Sequence, residues 1–291
     1  MNFLKRPIYL SLLVFAIGML LFYVQIYMKE PTIEAESAVL IDMKSGEVVY
    51  KKNENMPLAP ASMSKLMTEY IVLEKIEQGM LDWEDYVTVS EHAANSEGVK
   101  IDVKAGDRLT VEELVHAMVI SSANNAAITL AEHIAGSERD FTRLMNEEAE
   151  RLQLSQHTRF VNATGLENER GEESKMTALD VAKLAKYLLN NYPAVVNITK
   201  LTSYELKSHH GILTTTNKML YPANRKLYFE GVDGLKTGFT DEAGYCFAGT
   251  AMQGDKRMIS VVMGTSDGDK RFRESKKLFS YGFRKFYIPF L

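Results

Sequence analysis

The chain carries a single cysteine in 291 residues, Cys246, and that scarcity excludes an internal disulfide and a cysteine-rich metal site. Cys246 lies in the apolar run Gly244-Tyr245-Cys246-Phe247-Ala248, which reads as a buried structural thiol. Charge of one sign is not in excess: 34 Lys and Arg against 38 Asp and Glu leave a net −4, which supplies no argument for a nucleic-acid partner. Histidine is also sparse. The pair His209-His210 has no spaced His or carboxylate partner, so no metal and no cofactor is expected. There is no internal repeat, no low-complexity tract and no second-domain linker, while 46% hydrophobic composition is enough for a sizeable core.

Charge is missing altogether from one stretch, Ile8 to Met28. A helix of that length at about 1.5 Å per residue matches a hydrocarbon core about 30 Å thick, longer than an ordinary signal-peptide apolar region. Lys5 and Arg6 precede it, whereas Lys29 is followed at once by Glu30, which places the amino terminus in the cytoplasm and the body outside. The nearest small-residue cleavage candidate, Ala35-Glu36-Ser37, abuts the first strand, so an uncleaved anchor is favoured. The expected organisation is a cytoplasmic tail (1–7), a transmembrane signal-anchor (8–28), a connector (29–36) and one extracytoplasmic domain (37–288).

Within that domain, Ala38 to Asp42 and Val48 to Tyr50 read as two strands of a hairpin around the turn Lys44-Ser45-Gly46-Glu47. A long helix is expected over 65–80, short strands over 86–89 and 99–103, and a capped helix from Thr110-Val111-Glu112-Glu113 through Ile120. Further helices follow over 124–134, from Ser137 to about Leu154, and from Thr177 to Asn191. The period then changes to strands over 231–240, 245–252 and 258–265, and a closing helix over 269–286. Strands at both ends with helices between them give an α+β class: an antiparallel sheet built from both chain ends, flanked by helices, with an inserted helical lobe.

Three short motifs carry chemistry. Ser62 and Lys65 stand three residues apart at the start of the first long helix, so an amine can take the proton of a hydroxyl that is otherwise a poor nucleophile. Ser122 and Asn124 lie at a helix junction, where small polar residues either cap or project into a cleft. Lys236-Thr237-Gly238 sits on a strand; its glycine allows close backbone approach, and Lys and Thr can hold a carboxylate. Leu235 separates Gly234 from Lys236, so this is not a phosphate loop.

Ser-x-x-Lys, Ser-x-Asn and Lys-Thr-Gly in this order are the motif set of penicillin-binding proteins and class A β-lactamases. With the flanks Pro60-Ala61-Ser62-Met63-Ser64-Lys65 and Asp233-Gly234-Leu235-Lys236-Thr237-Gly238, the chain resembles a low-molecular-mass penicillin-binding protein of the serine D-alanyl-D-alanine carboxypeptidase family, peptidase S11. The resemblance implies a β-lactamase/transpeptidase-like fold in a bacterial cell-membrane protein, stem peptides ending in D-Ala-D-Ala as substrate, and β-lactams as inhibitors. It implies Ser62 as nucleophile, Lys65 as proton acceptor and Ser122 as proton relay. Asn124 would orient the substrate amide or Lys65; Lys236 and Thr237 would bind the terminal carboxylate beside Gly238. The N–H groups of Ser62 and Phe239 would form the oxyanion hole. A β-lactamase or D,D-endopeptidase of the same fold, or a catalytically silent wall-binding protein, are the rival readings. Asn125 stands where many relatives carry an acidic residue, and Phe239 where several have a histidine. Glu167 and Glu169 are the candidates for a deacylating carboxylate, though the sequence around them lacks the expected loop pattern.

Overall fold

Continuous apolar runs at the two ends of the chain, buried on both faces, build one sheet. In the computed structural model, which describes residues 11–19, 29–208 and 211–286, nine strands are formed: β1 (Ser37–Asp42), β2 (Val48–Lys52), β3 (Tyr86–Thr88), β4 (Arg108–Thr110), β5 (Ser203–Leu206), β6 (Gly211–Thr214), β7 (Val232–Thr240), β8 (Gly244–Gln253) and β9 (Lys256–Thr265). Five of them make an antiparallel sheet in the order β2-β1-β9-β8-β7. The register joins the chain ends, Val39 opposite Val261 and Ile41 opposite Ile259. Successive side chains point to opposite faces, so Ala38, Leu40, Met258 and Val262 pack on Phe272, Phe279 and Phe283 of the closing helix, Lys270–Phe286. Val39, Ile41, Ile259 and Val261 face the other way, onto the remaining helices. Each such fully buried side chain contributes about 2 kcal/mol.

The major helices are α1 (Lys65–Glu77), α2 (Asn124–Ala135), α3 (Glu138–Arg151), α4 (Ala178–Asn191) and α5, the closing helix. Residues 65 to 73 of α1 are all buried, so this helix has no solvent stripe there. It is shared: Leu66 and Tyr70 join the cluster under the sheet, while Val72 joins Leu114, Met118, Ala126 and Leu130 of the helical lobe. The active-site motifs consequently fall where lobe, sheet edge and α1 meet.

Local signals account for most helix ends. Thr110 and Glu113 form the expected capping box, and Ser137 and Thr177 each accept from the N–H three residues on. Two expectations are corrected. The helix from Thr110 does not continue regularly to Ile120; it is α-helical over Val111–His116 and widens to a π turn over Ala117–Ser121. The 99–103 segment alternates like a strand but is a loop, because the side-chain amide of Asn125 does a partner strand's work: Oδ1 accepts from Ile101 N at 3.2 Å and Nδ2 donates to Ile101 O at 2.9 Å. An aspartate could only accept here, which explains an asparagine at this position.

Of the apolar stretch 8–28, residues 11–19 are helical and exposed, and the remainder lies outside the described residues. Among the described residues no helix is long and apolar enough to cross a membrane. His209 and His210 also lie outside them, and among the described residues no group of three or more His, Cys, Asp or Glu could hold a metal ion. Cys246 is fully buried, and burial pushes its thiol up to about 12.

Candidate active site

Ser62 sits in a 3₁₀ turn, Ala61–Ser64, that runs directly into α1. In such a turn the side chains at i and i+3 eclipse, which aligns Ser62 with Lys65 more closely than an α-helix would. Ala61, just before the nucleophile candidate, is held in a left-handed conformation, φ 48°. Two glycines let other segments close on this turn. A Cβ at Gly238 would lie 2.7 Å from Pro60 O, and one at Gly165, where φ is +82°, would fall on the Ala61 carbonyl. So β7, the free edge of the sheet, and the 162–165 loop both press against the serine turn.

Lys65 is 1% exposed. Its Nζ lies 2.9 Å from Ser62 Oγ, 2.7 Å from Asn124 Oδ1 and 2.9 Å from Thr164 O. The last two are carbonyl oxygens and can only accept. A neutral amine has two N–H bonds and one lone pair; with both hydrogens on the carbonyls, the lone pair is left facing the Ser62 hydroxyl. Burial, and after it the positive Lys236, hold the Lys65 ammonium well below the usual lysine range. The geometry accommodates a neutral base and the electrostatics favour one.

Asn124 is wholly committed to this arrangement. Its Nδ2 donates to Glu97 O and its backbone N to Val99 O, both at 2.7 Å, while Oδ1 takes the Lys65 hydrogen. Of the two roles expected for it, orienting Lys65 is the one with a contact. Ser122 follows the π turn in a left-handed conformation, φ 66°, and is 6% exposed. That backbone costs about 1 kcal/mol and is of the kind that clusters at active sites. Its hydroxyl makes no hydrogen bond with another described residue.

The Lys-Thr-Gly strand completes the site. Lys236 is 2% exposed and donates to Thr237 O, at 3.2 Å. Burial pulls its ammonium down to about 7, with Glu69 opposing and Arg271 adding to the fall. Arg271 Nη1 in turn donates to Gly238 O at 2.9 Å, bracing the strand from behind. Thr237 Oγ1 lies 2.6 Å from Thr216 Oγ1, and Thr216 N donates to Ile120 O at 3.3 Å, so one residue ties the Lys-Thr-Gly strand to the turn bearing Ser122. Phe239 is 46% exposed at the rim and stacks on Tyr245 with centroids 4.2 Å apart.

Several groups here carry no sequence signal. Thr164 acts through a backbone oxygen, and Thr216 belongs to no motif. Glu69 is an acid one turn beyond Lys65, 2% exposed, and its Oε1 has no hydrogen-bond partner among the described residues; burial pushes its carboxyl up to about 8, with Lys236 pulling it back. Glu167 and Glu169 are exposed on the rim of a cleft of about 820 Å³ that opens beyond Asn124 and Thr164. Neither carboxylate contacts Ser62 or Lys65.

An antiparallel sheet flanked by helices, with a serine–lysine pair under its free edge, is the α+β fold of penicillin-binding and transpeptidase proteins. Penicillin-binding protein D2 of Listeria monocytogenes, solved in its ampicillin-bound form, superposes with a TM-score of 0.76 at 34% identity, covering 88% of this chain and 100% of that one. A peptidoglycan synthesis regulatory factor (PBP3) of Streptococcus pneumoniae gives 0.80 at 37% identity, covering 86% and 74%. Residues 25–267 match the sequence model of the peptidase S11 family, D-alanyl-D-alanine carboxypeptidase, and the chain belongs to that family. It is 39% identical over 254 residues to the D-alanyl-D-alanine carboxypeptidase DacF of Bacillus subtilis; that alignment takes in 87% of this chain and 63% of the relative's length.

Proposed function

We propose that this chain is a serine-type D-Ala-D-Ala carboxypeptidase that trims the terminal D-alanine from peptidoglycan stem peptides and is acylated by penicillins. The observation that carries the proposal is the buried Lys65 Nζ, 2.9 Å from Ser62 Oγ and otherwise bounded by the carbonyl oxygens of Asn124 and Thr164, an arrangement in which the lone pair of a neutral amine faces Ser62. Ser62 Oγ attacks the carbonyl between the two D-alanines while its proton passes to Lys65. The tetrahedral oxyanion is held by the N–H groups of Ser62 and Phe239, each worth about 3 kcal/mol in comparable sites. Lys236 and Thr237 hold the substrate's terminal carboxylate, and Gly238 lets that strand lie close to the serine turn. Lys65 returns that proton through Ser122 to the departing D-alanine amine, the C–N bond breaks, and an ester on Ser62 remains beside a neutral Lys65. Water then attacks the ester, giving its proton to Lys65, which passes it back to Ser62 Oγ as the shortened peptide leaves.

The uncharged run at 8–28 with Lys5 and Arg6 before it supports a single-pass anchor in a bacterial cell membrane, with a catalytic domain (37–288) on the outer side. A β-lactamase requires a carboxylate that activates the deacylating water, and the exposed positions of Glu167 and Glu169 disfavour that reading. The test is incubation of the chain with a labelled penicillin and with a peptide ending in D-Ala-D-Ala, against Ser62→Ala. A covalent adduct by intact mass and D-alanine release, both lost in the variant, are expected. A wild type with neither removes the proposal.

A further inference from the structure

The two carbonyls that hold Lys65 come from segments on opposite sides of the cleft beside the site. Thr164 belongs to the loop after Phe160, whereas Asn124 is anchored by the carbonyls of Glu97 and Val99 on the 95–100 segment. One side chain reaches both sides. Glu138, in the first turn of α3, accepts from Ala163 N through Oε1 at 3.0 Å, next to Thr164. Its Oε2 lies 2.8 Å from His92 Nε2, on the short helix Glu91–Ala94 that leads into the 95–100 segment. Ala163 O in turn accepts from Thr68 Oγ1 at 2.8 Å, on the helix that carries Lys65.

We propose that Glu138 is a positioning residue for the base: with His92 it clamps the two walls together, and so fixes the pair of carbonyl oxygens that turn the Lys65 lone pair towards Ser62. This rests on Lys65 being the proton acceptor. The side chain of Glu138 is 15% exposed against 59% for His92, so the clamp is anchored on the carboxylate. The bond to Glu138 raises the His92 pKa, with Glu132 and Glu169 adding to it; the imidazolium and the carboxylate therefore reinforce each other at mildly acid pH.

Glu138 has a second, opposing effect. Its negative charge favours the ammonium form of Lys65, while burial and Lys236 favour the amine. Removing the charge should therefore loosen the geometry and, at the same time, make the base easier to deprotonate. Simple loss of packing would lower the rate without moving its pH dependence.

The experiment measures acylation of the full chain by a fluorescent penicillin from about pH 5 to 10, for wild type, Glu138→Gln, His92→Ala and the double variant. Glu138→Gln is expected to lower the plateau about tenfold and to shift the acid limb to lower pH. His92→Ala is expected to cost about threefold, and to add nothing in the Glu138→Gln background. A wild-type plateau and limb in Glu138→Gln, or a lowered plateau with an unmoved limb, overturns the proposal. Should Glu138→Gln fail to fold, His92→Ala carries the test, and a wild-type rate in it overturns the clamp. A wild type that is not acylated at all overturns the Ser62–Lys65 reading beneath it, which is a separate and distinguishable failure.

Discussion

Asn124→Asp changes one atom in the hydrogen-bonding shell of Lys65 and places a negative charge where a neutral carbonyl oxygen now lies 2.7 Å from Nζ. The side chain keeps its size, so the main consequence is electrostatic. An opposite charge at this range raises an amine's pKa by about one to three pH units. Below the new value the base is protonated, and acylation of Ser62 by penicillin should fall at neutral pH, by up to about 1000-fold at the top of that range. Raising the pH should restore it. The variant also loses the donor to Glu97 O, leaving a carboxylate oxygen against a carbonyl 2.7 Å away, at a cost of about 1–3 kcal/mol in stability. Stopped-flow acylation as a function of pH, with a thermal melt beside it, separates the two effects. A loss of rate that alkaline pH does not reverse would show that Asn124 acts by shape alone, and an unchanged rate at neutral pH would refute the need for an uncharged Lys65.

Glu69→Gln tests the buried carboxyl. The folded chain holds its proton up to about pH 8, against an ordinary value of 4.5, so this stabilisation is complete below pH 4.5 and is lost as pH rises towards 8. Between pH 5 and 7 the wild type should lose about 2 kcal/mol that the glutamine variant keeps, measured by denaturant unfolding. Because Glu69 is uncharged over the range in which Lys236 titrates, the same variant should leave the KM for a carboxylate-ended peptide at its wild-type value up to about pH 8. Thr216→Val breaks the 2.6 Å link to Thr237 and should raise that KM several-fold while costing about 1 kcal/mol of stability. Gly238→Ala drives a methyl to within 2.7 Å of Pro60 O; moving the strand off the serine turn by about 1 Å should slow acylation about 100-fold.

The parts of this molecule legible in sequence are those where one physical requirement dominates. The strands of both chain ends show because burial on two faces forces continuous apolar runs, Val39 and Ile259 facing one way and Leu40 and Val262 the other. Ser62, Lys65 and Lys236 show because their chemistry restricts residue type. The β5–β6 hairpin leaves little trace because its strands are four residues each and largely exposed, with Leu206 and Leu213 the only buried residues in them. Glu69 was hidden for the opposite reason, since a glutamate on a helix ordinarily faces solvent, yet α1 is buried on every side at that point. Thr164 and Ala163 contribute backbone atoms, which leave no trace in residue type. Asn125 is intermediate: it stands directly after the Ser-x-Asn motif, and its reason emerges only from the bonds to Ile101.

The protonation state of Lys65 in the resting protein can be observed directly, by NMR titration of ¹³Cε-labelled lysines with Lys65→Met to assign the signal. An amine at pH 7, titrating far below the surface lysines, is the expected result. A Lys65 signal that is still an ammonium at about pH 9 would contradict it and leave Ser62 without a base.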